Sequence, residues 1–233
     1  MAGESQRAVR RASAERLLET YRRLYAAYGS QHWWPADSPF EVVVGAILTQ
    51  SAAWVNVEKA IENLRAAGIL SPQGLLQVGP DELARLVYPA GYYNAKARKL
   101  KAFLEMLFDR HDGRLDTLFA LPLSELRQEL LATHGIGQET ADSISLYAAE
   151  KPSFVIDAYT RRVFSRLGLA PARDSYASWQ AMFSDALPPD VQLFNEYHAL
   201  IDHHAKTVCR KAPLCDRCCL REVCRQAMGD SSR

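Results

Sequence analysis

Residues Leu131–Ala141 read LATHGIGQETA: a helix end, a tight turn at Gly135-Ile136-Gly137, then a new helix whose first turn holds Gln138, Glu139 and Thr140. Two glycines so close together let the backbone take conformations that a side chain blocks. They also leave peptide N–H groups exposed at a helix N-terminus, a site that can hold a DNA phosphate without reading sequence. The same residues also suit an ordinary turn between two helices, and the fragment alone does not separate the two roles.

The neighbouring sequence extends the helical pattern. Leu17, Leu18, Tyr21, Leu24, Tyr25 and Tyr28 recur at the spacing of one buried helical face. Ser38-Pro39-Phe40-Glu41 is a helix start with an N-cap serine, a proline at the first helical position and a capping-box glutamate. That helix is predicted to run through VVVGAIL to about Gln50. Trp54, Val57, Ile61 and Leu64 mark the next, which stops near Gly68. Further helices are predicted over 72–78, 80–87, 93–111, 123–132, 138–149, 158–167, 175–186 and 190–206, with proline and glycine at the joints. No run alternates as a strand does, and Phe154-Val155-Ile156 is too short to seed a sheet. The predicted fold class is all-α.

A chain of 233 residues buries enough surface for one domain or two small ones. With 48% hydrophobic and 24% charged residues, its composition is that of an ordinary soluble globular protein. The opening MAGESQRAVRRASAERL has basic residues but no apolar core, so no secretory signal is expected. The longest apolar stretch, Phe40–Leu48, is interrupted by Glu41 and is too short to span a bilayer. No membrane partner is expected, and a reducing cytoplasm fits best.

A net charge of +1 announces no nucleic-acid partner in bulk. Its distribution says more. Lys206, Arg210, Lys211, Arg217, Arg221 and Arg225 surround the cysteines, against only Asp216 and Glu222. Such a surface either contacts phosphate or is simply solvated.

All five cysteines fall in the last 25 residues, and four of them, Cys209, Cys215, Cys218 and Cys224, read C-x5-C-x2-C-x5-C. Soft thiolates this close together suit a metal centre, either four-cysteine zinc or a four-cysteine iron–sulfur cluster. Disulfides need an oxidising compartment, and the preceding 208 residues carry no cysteine. Cys219 leaves an odd thiol, and a register using it in place of Cys218 stays open. Upstream, FVIDAYTRR places Asp157 between an apolar approach and a basic helix start. It is either a helix N-cap or a catalytic carboxylate at a helix mouth.

Four separated motifs, PFEVVVGAILTQ, the hairpin LxxxGIGxxTA, VID before an arginine-bearing helix, and the four-cysteine cluster, occur in this order from about residue 17 to 225. In combination they resemble the endonuclease III branch of the helix-hairpin-helix DNA glycosylases. The resemblance implies two helical domains with a DNA groove between them. A helical barrel domain over 31–151 would carry the hairpin, and a second domain, from 1–30 and 152–233, would hold a [4Fe-4S] cluster on Cys209, Cys215, Cys218 and Cys224, with Cys219 a bystander. The family usually has six residues between the first two cysteines, whereas this chain has five. Also implied are Asp157 as the catalytic carboxylate, Gln50 as the residue filling the hole left by the flipped nucleotide, and DNA-backbone contacts from Gly135, Gly137, Gln138 and Thr140. A monovalent cation at the hairpin is a further expectation. The implied partner is double-stranded DNA containing a damaged base, bound by a monomer acting in nucleoid-associated repair.

Bifunctional members carry a lysine two residues beyond the second hairpin glycine, which serves as a Schiff-base nucleophile. That position is Glu139 here. The expectation is a monofunctional glycosylase, with Lys206 the alternative source of an amine. Trp33 and Trp34 in HWWP, and Trp54 four residues after Gln50, are core residues or walls of a base pocket. Aromatic faces bind cationic rings, and N-alkylated purines such as 3-methyladenine carry that charge. WWP, ILTQ followed by an aromatic, and the absent lysine are similar to type III 3-methyladenine DNA glycosylases. The competing readings are a uracil or thymine mismatch glycosylase and a non-catalytic DNA-binding module.

Overall fold

The computed structural model describes residues 2–230, and every regular element among them is helical. The long first helix, α1, spans Ala2–Tyr28. Eight helices follow: α2 (Pro39–Leu48), α3 (Trp54–Ala66), α4 (Pro72–Gln77), α5 (Pro80–Leu86), α6 (Tyr93–His111), α7 (Leu115–Phe119), α8 (Leu123–Ala132) and α9 (Gln138–Ser143). The last four are α10 (Ala158–Leu167), α11 (Tyr176–Ser184), α12 (Val191–Thr207) and α13 (Arg225–Asp230). They form two compact units: a terminal unit, Met1–Trp33 with Pro152–Arg233, and a central unit, Trp34–Lys151.

Helix α2 is the axis of the central unit. Every residue from Phe40 to Leu48 is buried, as the all-round apolar sequence requires. The cap geometry matches the sequence on one side only. Ser38 Oγ accepts the Glu41 N–H at 3.2 Å, but the Glu41 carboxylate turns to Arg65, whose guanidinium reaches both oxygens at 2.9 Å. Helices α8 and α9 flank the hairpin turn and are joined by Arg127, whose Nε and a terminal nitrogen donate to Asp142 at 2.8 and 3.2 Å. The Asp142 side chain is wholly buried. Beyond Ser143 the predicted helix widens into a π turn over Ile144–Ala148, closed by the Ala149 N–H on the Ile144 carbonyl at 3.0 Å.

The terminal unit is built on aromatic rings. Phe154 stacks on Phe183 at 3.9 Å, and Phe194 and Tyr197 meet Phe154 edge-on. The Tyr197 hydroxyl donates to the Leu17 carbonyl at 2.7 Å, tying α12 to α1. Phe154, Val155 and Ile156 are buried in an extended segment that has no strand partner among the described residues. On α1 the predicted apolar face is incomplete: Leu17 and Leu24 are buried, but Tyr25 is 44% exposed and leans on Tyr21. Helices α7 and α13 were not anticipated, each being too short to show a period.

Removing one partner of a buried ion pair leaves the other charge uncompensated. Arg127→Met is expected to lower the unfolding free energy by about 3 kcal/mol in a denaturant titration, the low end for such a loss.

Candidate DNA-processing site

Gln50 follows α2 directly, and Ser51, at φ +54°, bends the chain away after it. The Gln50 carboxamide makes three hydrogen bonds within the central unit. Nε2 donates to the Gly135 carbonyl at 3.1 Å and to Thr140 Oγ1 at 2.9 Å, while Oε1 accepts from the Lys99 ammonium. The structure therefore brings together three of the residues singled out in the sequence, Gln50, Gly135 and Thr140, and adds Lys99 of α6.

The two hairpin glycines are not equivalent. Gly135 sits at φ +83°, where a Cβ would also collide with the Lys99 side chain. Gly137 has φ −92° and open space around it, so conformational freedom is not what its position requires. Gly137 is the N-cap of α9 and supplies no side-chain cap, while Gln138 and Glu139 are exposed. The first turn thus presents backbone N–H groups and an acid where an amine was sought.

The tryptophans divide. Trp34 and Trp54 meet edge-on at 5.2 Å, and Tyr147 of the π turn approaches Trp34 at 5.3 Å. Gly45 makes room for this group, since a Cβ there would come within 3.0 Å of the Trp34 ring. Trp54 Nε1 donates to Glu58 at 2.7 Å. Trp33 belongs to the terminal unit. Tyr92, 76% exposed at φ +45°, adds an aromatic on a strained tip of the central unit.

In the terminal unit, Asp157 serves as the N-cap of α10, Oδ1 accepting the Thr160 N–H at 2.6 Å. Its other oxygen faces His198 Nε2 at 3.8 Å, in surroundings that leave the carboxylate only 14% exposed. Lys206 pairs with Asp202 at 2.8 Å and lies over the ring of Tyr159, as does Arg162.

Cys209, Cys215, Cys218 and Cys224 line one pocket with Arg166, Pro213, Leu214 and Ala227. Cys219 is not among them; its thiol points to the Tyr28 hydroxyl at 4.0 Å. A short helical turn over Cys215–Arg217 brings Cys215 and Cys218 to the pocket together. Arg166 reaches Cys209 Sγ at 3.3 Å, and His204 Nε2 lies 3.6 Å from Cys218 Sγ. Burial lifts the Cys218 thiol to about 11 and, with His203 close by, lowers His204 to about 4. No three His, Cys, Asp or Glu side chains among the described residues form a ready cage for a single metal ion. Part of the basic surface is neutralised locally, Arg221 pairing with Asp216 at 2.8 Å.

Known proteins resemble this chain in sequence and fold. A family model for the HhH-GPD superfamily base excision DNA repair proteins matches residues 44–189. The chain belongs to that superfamily. A protein of Methanocaldococcus jannaschii that bears the name of a DNA repair glycosylase is 45% identical over 217 residues, covering 90% of this chain and 96% of its own length. Endonuclease III of Sulfolobus acidocaldarius is 30% identical over 187 residues, covering 80% of this chain and 81% of its own. Among solved structures, an endonuclease III trapped as a covalent intermediate with DNA superposes with a TM-score of 0.80 over 94% of this chain and 98% of its own, at 21% identity. The H. pylori 3-methyladenine DNA glycosylase bound to 1,N6-ethenoadenine gives 0.73 at 26% identity, over 83% of this chain and 97% of its own. This protein is thus a DNA-binding, helix-hairpin-helix DNA glycosylase of the endonuclease III-like type, with the all-α fold of that family.

Tyr147, Lys99 and His198 were not singled out by sequence. Tyr147 sits in a helix whose π widening has no sequence mark, and Lys99 is one of three lysines within six residues of α6. The cap that Asp157 makes on α10 can be tested by itself. Asparagine caps as well as aspartate, so Asp157→Asn is expected to leave stability unchanged, whereas Asp157→Ala loses about 1 kcal/mol in chemical denaturation.

Proposed function

We propose that this DNA glycosylase is monofunctional and excises N-alkylated purines such as 3-methyladenine from double-stranded DNA. The observation that carries the substrate class is the aromatic group of Trp34, Trp54 and Tyr147, of which Trp54 follows Gln50 by four residues. Aromatic faces attract a cationic ring, and an alkylated purine leaves as an activated group needing little protonation. The 26% identity to a 3-methyladenine glycosylase agrees with this reading.

Excision requires the base to leave the stack and the N-glycosidic bond to break through a transition state with positive charge on the sugar. Asp157 is the group to meet that charge or to take a proton from the attacking water. Its cap bond to Thr160 fixes one oxygen and leaves the other for the reaction. Gln50 fills the vacated space, and the exposed Tyr92 is an aromatic that can enter a base stack beside it. Gly135, Gly137, Gln138 and Thr140 hold backbone phosphates through the uncapped start of α9, and a monovalent cation belongs on carbonyl oxygens of the hairpin turn. With Glu139 in place of the lysine, no hairpin amine attacks the sugar.

We also assign Cys209, Cys215, Cys218 and Cys224 to a [4Fe-4S] cluster. Four cysteines that line one pocket, in a chain 30% identical to an endonuclease III, suit four-thiolate ligation of that cluster. Such a cluster supplies a one-electron redox centre and a fourfold cross-link of the C-terminal segment. Arg166 and His204 are the neighbours placed to donate to its sulfur ligands.

A panel of duplexes bearing 3-methyladenine, 7-methylguanine, hypoxanthine, uracil or thymine opposite guanine, or oxidised bases tests the activity. The expected result is release of alkylated purines, with strand breakage only after hot alkali and a rate about a hundred-fold or more lower for Asp157→Asn. Release of uracil or thymine alone would contradict the substrate class, and an unchanged rate for Asp157→Asn would remove the carboxylate from the chemistry. Protein prepared anaerobically with iron is expected to be brown, to stay so as Cys219→Ser, and to lose colour as Cys218→Ser.

A further inference from the structure

A carboxamide has two N–H bonds to give and an oxygen with two lone pairs. At Gln50 both N–H bonds are taken, by the Gly135 carbonyl and Thr140 Oγ1, and one lone pair accepts from Lys99. An ammonium only donates and a carbonyl only accepts, so these partners permit one orientation of the amide and exclude its flip. The Lys99 stem reaches Gln50 by crossing the face of Gly135, where a Cβ would strike its Cγ, Cδ and Cε. The glycine is thus needed for the lysine's path as well as for its own φ of +83°.

We propose that Lys99 is a positioning residue, holding the Gln50 carboxamide on the hairpin so that the gap-filling side chain and the phosphate-holding turn act as one body. This rests on the reading of Gln50 as the residue that fills the vacated stack. The geometry has two consequences. Docking of the hairpin on a backbone carries Gln50 to a fixed depth, without a separate search by a flexible side chain. The amide also meets DNA with its one free capacity, an acceptor lone pair, so it favours unpaired bases that offer a donor. Without Lys99 only the Gly135 carbonyl still opposes the flip, and that bias weakens.

Affinities for duplexes holding a stable abasic-site analogue opposite each of the four bases, and for the unmodified duplex, test this with the full chain as parent, Lys99→Met, Lys99→Arg, Gln50→Ala and the Gln50→Ala/Lys99→Met double variant. Lys99→Met is expected to lower the preference for the abasic duplex roughly ten-fold, the scale of one charge-assisted hydrogen bond, and to narrow the spread among opposite bases. Lys99→Arg regains most of both. The double variant is expected to be no weaker than Gln50→Ala alone, because the lysine acts through the glutamine. Additive losses, with the salt dependence falling by about one counterion, would show that Lys99 holds a phosphate itself and would overturn the proposal. So would an unchanged preference in Lys99→Met beside a lowered one in Gln50→Ala. Should Gln50→Ala leave the preference intact, the gap-filling reading fails, and this proposal with it.

Discussion

A helix N-terminus carries N–H groups that nothing inside the helix can satisfy, and the two helix starts that matter here answer that constraint in opposite ways. At α10 the protein supplies its own anion: Asp157 spends one oxygen on the Thr160 N–H. At the cap of α9 it supplies none, because Gly137 has no side chain, and the nearest acid is Glu139 in the first turn. One start therefore carries a carboxylate cap and the other a bare glycine. Everything else in each unit keeps those two starts in place, from the Arg127–Asp142 pair beside the hairpin to the stacked phenylalanines behind Phe154-Val155-Ile156.

The same economy recurs at Gln50, where one side chain connects α2, α6 and the hairpin through three hydrogen bonds. The orientation of this amide is set by the Lys99 ammonium, which can only donate, and the Gly135 carbonyl, which can only accept. The cysteine pocket shows a comparable division of labour: four thiols face inward, and the fifth, on Cys219, is turned to Tyr28.

Much of this was legible in the sequence because local rules decide it. Helix starts at Ser38 and Pro39, the turn at Gly135 and the cap at Asp157 are each fixed by residues a few positions apart. What stayed hidden depends on partners far along the chain. Nothing near Glu41 says that its carboxylate prefers Arg65 to its own helix start, and nothing near Tyr25 says that its face of α1 lies open. The pair Trp33-Trp34 reads as one feature, yet its members belong to different units. The alkyl stem of Lys99 over Gly135 is likewise invisible to any periodicity, since the hairpin and α6 meet only in the fold.

In the proposed reaction water, steered by Asp157, and not an amine of the protein, breaks the bond to the base. Borohydride added during turnover of a 3-methyladenine duplex tests that directly. The expected result is free base with no covalent protein–DNA adduct. A trapped adduct, whether through Lys99, Lys206 or another lysine, would contradict it.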